Sequence, residues 1–200
     1  MIKRPLIGLV TVALSLCLPE YAEADAAAGK AKSEVCAGCH GEDGNASAPI
    51  FPKLAGQHAS YLARQLREFK SKKRIEPTMN AMAEALSEED IADISAYFAK
   101  QKVKPEKAES APLGEKVFRA GNTATGVPAC AACHGPAGGG NPYSGYPALG
   151  GQYSAYLSKT LHDYKTSERT NDPSEIMKTI AIRMSEEEMN AVSNYASGLR

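Results

Sequence analysis

Two copies of one short motif carry the residues with the most distinctive chemistry. They read Cys36-Ala37-Gly38-Cys39-His40 and Cys130-Ala131-Ala132-Cys133-His134, so each has the pattern C-x-x-C-H. Two intervening residues put the thiols about one helical turn apart, which suits bonding to the two vinyl groups along one edge of a haem. The adjacent histidine then presents its imidazole to the iron. The pattern predicts two covalently bound haem c groups.

Other uses of these four cysteines compete with haem attachment. In an oxidising compartment they would ordinarily pair as two disulfides, and C-x-x-C also occurs in thioredoxin-like redox sites. A zinc site assembled from both pairs is a third alternative, but it leaves the histidine after each pair unexplained. Two copies of the motif, each with its histidine, favour haem attachment over all three.

An internal duplication accounts for the two motifs. Residues 51–70 and 146–165 share eight of twenty positions at an offset of 95, against 94 between the haem motifs. The Ser-Glu-Glu triplets at 87–89 and 185–187 match at an offset of 98. Three blocks in the same order at nearly constant offset predict two similar domains.

Helical periodicity dominates both halves. The segment 26–35 is rich in alanine, which predicts a helix leading into Cys36. Apolar residues recur every three to four positions in the shared blocks, and no stretch alternates like a strand. Ser87 and Ser185, each followed three residues later by an acid, have the pattern of helix N-caps. The predicted fold class is all-α, with two tandem haem domains of three helices each.

The first 24 residues have the pattern of a secretory signal. A lysine and an arginine precede an apolar run at 6–18, and Ala22-Glu23-Ala24 is a small-x-small cleavage site. The run falls short of the roughly 18 residues that a membrane anchor needs, and Leu16 disfavours lipoprotein processing at Cys17. The predicted organisation is a cleaved signal peptide at 1–24, a first domain at 25–104, a linker at 105–113 and a second domain at 114–200. Export predicts a periplasmic protein.

The duplication also selects a second axial ligand for each iron. His58 and His162 have no histidine counterpart in the other half, so each is a weaker candidate. Met79 and Met177 both stand eight residues before the N-cap serine of the last helix of their half. A thioether opposite a histidine is an axial pair typical of electron-transfer cytochromes. The matched methionines are therefore the predicted ligands.

The remaining methionines and two prolines have other predicted roles. Met82 and Met184 have no methionine counterpart and are expected to pack in the core. Pro52 and Pro147 follow the motif histidines by twelve and thirteen residues. Each is either the carbonyl that accepts a hydrogen bond from the free ring nitrogen of its histidine, or only a rigid loop residue.

The paired motifs, the F/Y-P-x-L-x-G-Q blocks and the serine-led last helices resemble the cytochrome c4 family over essentially all of the chain after the signal. The resemblance implies two tandem cytochrome c-like domains packed face to face through a pseudo-two-fold axis. It also implies a periplasmic carrier between a cytochrome bc complex, or another donor, and a terminal oxidase. The family's attachment and axial residues carry over onto Cys36, Cys39, His40, Met79, Cys130, Cys133, His134 and Met177.

Three functions compete at this point. The first is a carrier that relays single electrons and is not an enzyme. The second is an electron-accepting dihaem subunit of a dehydrogenase, such as a flavocytochrome c sulfide dehydrogenase. The third is a dihaem peroxidase, which needs an open axial site and is disfavoured by methionines in both halves.

The balanced charge and the two-domain organisation restrict the kinds of molecule that the protein is expected to bind. The chain has 23 basic and 23 acidic side chains, so no net field favours nucleic acid. The expected partners are redox proteins, namely a cytochrome bc complex, a terminal oxidase or a dehydrogenase subunit. Peripheral association with a membrane is compatible with this prediction, and the expected form is a two-domain monomer.

Overall fold

The computed structural model describes residues 24–107 and 111–200. The predicted signal peptide, apart from Ala24, and residues 108–110 of the predicted linker lie outside the described residues. Regular structure in the described residues is helical, with two isolated β-bridges and no strand. The predicted all-α class is confirmed. No helix in this part of the chain is long and apolar enough to cross a membrane.

The described part of each half contains five α-helices, where three were predicted. Those of the first half are α1 (Ala26–Lys32), α2 (Glu34–His40), α3 (Ala59–Lys70), α4 (Pro77–Glu84) and α5 (Glu88–Ala99). Those of the second half are α6 (Pro112–Ala120), α7 (Ala131–His134), α8 (Ser154–Thr166), α9 (Ile176–Ile182) and α10 (Glu186–Ser197). The number is larger because the predicted first helix is divided and because Met79 and Met177 lie on short helices of their own.

The division of the first helix falls at Ser33. This residue keeps a right-handed backbone, with φ −84° and ψ 0°, and its hydroxyl donates to the Lys30 carbonyl at 2.8 Å. The chain therefore bends between α1 and α2 without leaving the helical region. In the second half, α6 instead ends at Gly121, and a loop separates it from α7.

Equivalent helices pack in the same way in the two halves. The first helix crosses the last, α1 on α5 and α6 on α10, and the long middle helix packs on the last, α3 on α5 and α8 on α10. Gly29 and Gly114 lie at the two crossings. A Cβ atom there would lie 2.0 Å from the carbonyl oxygen of Asp93 or Ala191, so glycine permits the close approach.

Capping boxes begin the last helix of each half, as predicted. The Ser87 hydroxyl accepts from the Asp90 N–H at 3.0 Å, and the Asp90 carboxylate accepts from the Ser87 N–H at 2.9 Å. Ser185 and Glu188 repeat the arrangement at 3.1 and 2.9 Å. Each box satisfies N–H groups that the first helical turn leaves without partners.

The prediction that Met82 and Met184 pack in the core is correct for only one of the two residues. Met184 is buried, with 3% of its surface exposed, whereas Met82 is 40% exposed and the prediction for it is wrong. The buried position of α4 is Ala83, and its equivalent in α9 is Ala181, both 0% exposed. Met82 precedes Ala83 by one residue and is turned by about 100° around the helix, away from the core.

Contacts between the two halves are reciprocal. The Arg74 guanidinium donates to the Tyr156 hydroxyl at 3.1 Å, and the Arg169 guanidinium donates to the Tyr61 hydroxyl at 3.0 Å. Both arginines and both tyrosines are offset by 95 residues, the offset of the duplicated block. Exchange of equivalent residues is the pattern of a two-fold interface. The contacts therefore agree with the face-to-face packing that the family resemblance implies.

Candidate haem sites

Helix α2 places the first motif on one short segment. Cys36 and Cys39 are three residues apart in this helix, so their thiols share a face, and His40 is its last residue. Cys36 packs against the core formed by Leu62, Ile94 and Phe98. Gly41, with φ 78°, ends the helix in a conformation that favours glycine.

The second motif has the same arrangement, but its helix is shorter. Cys130 lies just before α7, Cys133 lies in it and His134 ends it, followed by Gly135 at φ 76°. Cys130 packs against the core of its own half. The described residues contain no group of three or more His, Cys, Asp and Glu side chains that could hold a metal ion, so the two cysteine pairs do not combine into one zinc site.

Each motif histidine is oriented by a proline carbonyl. The Nδ1 atom of His40 lies 2.9 Å from the Pro52 carbonyl oxygen, and Nδ1 of His134 lies 2.9 Å from that of Pro147. Because a carbonyl only accepts, Nδ1 is the donor in both rings, and the lone pair belongs to Nε2. The hypothesis that these prolines orient the histidines is confirmed. The donor sets therefore fit a haem iron bound at Nε2.

Burial favours the neutral form of both motif histidines and of the first cysteine of each motif. Desolvation lowers the pKa of His40 and of His134, and the proline carbonyls oppose that shift only in part. Burial also raises the pKa of the Cys36 thiol, and it raises that of Cys130 to about 11. Neutral imidazoles at neutral pH leave both Nε2 lone pairs available to a metal.

The predicted methionine ligands occupy corresponding short helices. Met79 is half-buried in the first turn of α4, and Met177 is half-buried in the first turn of α9. Helix α4 packs on α3 and α9 on α8, so the two helices have equivalent places in their halves. The motif histidines lie on other helices, α2 and α7, so the two predicted ligands of each iron come from different helices of the same half.

The weaker histidine candidates have different surroundings. The Nε2 atom of His58 is buried without a hydrogen-bond partner among the described residues, and the residue lies just before α3. The Nε2 atom of His162 lies 2.7 Å from a carboxylate oxygen of Glu186, near the surface. The two positions are not equivalent, so they offer no matched pair of ligands.

The sequence prediction missed two side chains beside the motif histidines. Gln57 and Gln152 each cross to the other half and contact the backbone that follows Pro147 or Pro52. Their identity at matching positions of the duplicated block was the available signal. That identity alone does not distinguish a role within one domain from a role between domains.

Known proteins with this arrangement identify the family. The cytochrome c family model matches the chain twice, at residues 26–102 and 112–199. A cytochrome c4 of Pseudomonas aeruginosa is 46% identical over 196 residues, which cover 96% of this chain and 98% of that relative. The chain belongs to the cytochrome c4 family.

Two further relatives extend the comparison with cytochrome c4. The crystal structure of reduced recombinant cytochrome c4 from Pseudomonas stutzeri has a TM-score of 0.86 and 43% identity, covering 88% of this chain and 100% of that one. A thiosulfate dehydrogenase electron acceptor of Stutzerimonas stutzeri is 38% identical over 168 residues, covering 80% of this chain and 76% of that protein. As a cytochrome c4 family member, the protein carries two covalently bound haem c groups and is an electron-transfer protein, not an enzyme.

Proposed function

We propose that the protein is exported to the periplasm and relays single electrons from a cytochrome bc complex, or another donor, to a terminal oxidase. Removal of residues 1–24 would leave a first domain at 25–104, a linker at 105–113 and a second domain at 114–200. The signal pattern and the duplicated haem motifs support this organisation.

The proposed ligand sets are equivalent in the two domains. Thioether bonds would form at Cys36, Cys39, Cys130 and Cys133, and the irons would be held by His40 with Met79 and by His134 with Met177. The single observation that carries the proposal is the histidine-to-proline hydrogen bond, made at 2.9 Å in both halves. This bond fixes the tautomer and increases the basicity of the ring, as expected for a metal-binding histidine.

A bound haem c supplies an iron that cycles between ferric and ferrous states by one electron. The chain's own residues suit that role because they limit other chemistry. With Met79 and Met177 as the second ligands of the irons, their thioethers would leave little access for oxygen or peroxide. The buried, neutral histidines have fixed orientations, so the ligands rearrange little when the charge changes. The expected behaviour is electron exchange without turnover of a small molecule.

A second candidate function is supported by the relatives. Proteins described as thiosulfate dehydrogenase electron acceptors are 38% and 34% identical to this chain. The protein would then accept electrons from a catalytic dehydrogenase subunit by the same haem chemistry. Affinity capture of the native protein from periplasm and membranes separates the two functions. Recovery of oxidase or cytochrome bc subunits supports the carrier, and a stoichiometric dehydrogenase subunit supports the second candidate.

Methionine substitutions test the proposed ligands. Met79→Ala and Met177→Ala should each remove about half of the thioether-to-ferric-iron absorption band and lower the potential of one haem, because a stabilising ligand of ferrous iron is lost. Met82→Ala and Met184→Ala are the matched controls and should keep the whole band. Loss of half the band in either control would contradict the ligand assignment.

A further inference from the structure

The side-chain amides of Gln57 and Gln152 make equivalent contacts across the domain interface. Each amide forms two hydrogen bonds with the backbone N–H and carbonyl of one residue in the other domain, and we call this pair of bonds a clasp. Gln152 accepts from the Lys53 N–H at 2.9 Å and donates to the Lys53 carbonyl at 2.8 Å. Gln57 accepts from the Ala148 N–H at 2.9 Å and donates to the Ala148 carbonyl at 3.0 Å. Both glutamines are buried, so these four hydrogen bonds satisfy amide groups that are shielded from water.

The clasped backbone is the same backbone that orients the histidines. The Pro52 carbonyl that accepts from His40 belongs to the peptide group whose N–H is that of Lys53. One peptide unit therefore joins an axial histidine of the first domain to Gln152 of the second. The Pro147–Ala148 peptide joins His134 to Gln57 in the same way.

We propose that each glutamine tunes the haem of the opposite domain through this peptide group. Gln152 would set the hydrogen-bond strength at His40, and Gln57 would set it at His134. The two domains would thus share the control of both potentials, and correct docking of the domains would be part of each haem's environment. The inference rests on the proposed function, because it takes His40 and His134 as axial ligands.

The direction of the effect follows from polarisation. A peptide whose N–H donates a hydrogen bond has a more negative carbonyl oxygen, because hydrogen bonds in a chain strengthen one another. A stronger acceptor at Nδ1 makes the imidazole a more basic ligand, which favours ferric iron. Removal of the glutamine amide should therefore favour ferrous iron in the opposite domain.

The glutamine does not contact the histidine directly, and this limits the expected change in the redox equilibrium of the haem. Direct removal of an outer-shell partner of a metal ligand changes metal affinity or activity by about 10- to 100-fold. The glutamine acts one hydrogen bond further out, so we expect the ratio of reduced to oxidised haem at a fixed applied potential to rise by about two- to fivefold.

The test compares Gln152→Leu with Gln57→Leu in the holoprotein. Leucine is apolar and close in size, so it removes both bonds of the clasp while filling much of the space. Spectroelectrochemistry gives the reduced-to-oxidised ratio of each haem. The haems are assigned by nuclear Overhauser contacts to Phe51 or Tyr146, whose ring centroids lie 6.2 and 6.0 Å from those of His40 and His134.

The expected result is a crossed pattern. Gln152→Leu should shift the haem of the first domain, Gln57→Leu should shift that of the second, and the double variant should shift both. Tyr153→Phe is the control, since it removes another interdomain hydrogen bond, to the Ala46 carbonyl, and keeps the ring that faces the Lys53 ammonium and the backbone N–H that donates to Gln152. It should change neither ratio by more than the measurement error.

Three results would overturn the proposal. They are equal shifts of both haems in a single variant, a shift confined to the variant's own domain, or no shift while the thioether-to-iron band stays intact. The intact band separates this failure from a failure of the proposed ligands, which the methionine variants report. Amide hydrogen exchange in the native protein tests the clasp without a substitution, because the Lys53 and Ala148 N–H groups should both be protected. Rapid exchange of either would also contradict the proposal.

Discussion

The close packing of α6 on α10 predicts how much the substitution Gly114→Ala lowers the stability of the protein. In Gly114→Ala, the new Cβ would lie 2.0 Å from the Ala191 carbonyl oxygen, 2.6 Å from its carbon and 2.9 Å from the Tyr195 Cβ. Two of these atoms belong to backbone, so the helices must separate by about 1 Å. Overpacking typically costs about 1–3 kcal/mol, and a clash with backbone belongs at the upper end. The higher helix propensity of alanine offsets about 1 kcal/mol of that cost.

The expected net loss is therefore about 2 kcal/mol in the free energy of unfolding. For a domain of this size that corresponds to a fall of about 8–16 °C in Tm. Thermal unfolding of the holoprotein followed by circular dichroism measures it. Gly38→Ala is the matched control, because a Cβ there meets nothing within 4 Å and the duplicated motif already has Ala132 at that position. A Gly114→Ala protein that melts within about 2 °C of the native one would refute the packing argument.

Two further predictions concern the core and the pH dependence of stability. Met184→Ala should cost about 2–5 kcal/mol because its side chain is buried, whereas Met82→Ala should cost less than about 1 kcal/mol, and chemical denaturation compares them. Hydrogen bonds from Ser87, with Lys32 nearby, lower the pKa of Asp90 from 3.8 to about 2. Since the folded pKa is the lower one, this stabilisation is present above pH 3.8 and is lost as the pH falls towards 2. Asp90→Asn should flatten that part of an acid-unfolding curve, and an unchanged curve would argue against the capping box as its source.

The sequence predicted the features that depend on local spacing. The helical placement of the first motif and the capping boxes at Ser87 and Ser185 follow from short-range patterns. The spacing of Pro52 and Pro147 left open whether their carbonyls orient the histidines or only stiffen the loop, and the hydrogen bonds in the structure decided it. The duplication supports these predictions because the patterns occur in both halves of the chain.

Features that depend on three-dimensional packing were not predictable in this way. The bend at Ser33 interrupts a segment whose composition predicts one continuous helix, and the exposure of Met82 reflects the rotation of α4 about its own axis. Gln57 and Gln152 act between domains, and no spacing within one half encodes which partner a matched pair of glutamines contacts across an interface.

The central claim is that both irons exchange electrons with protein partners while their axial positions stay closed. Stopped-flow mixing of the reduced protein with an oxidised terminal oxidase, and separately with peroxide, tests it most directly. The account predicts fast reoxidation by the oxidase and a slow reaction with peroxide that does not saturate. Saturable turnover of peroxide would contradict it, because peroxide would then have to displace a proposed ligand, Met79 or Met177, from its iron.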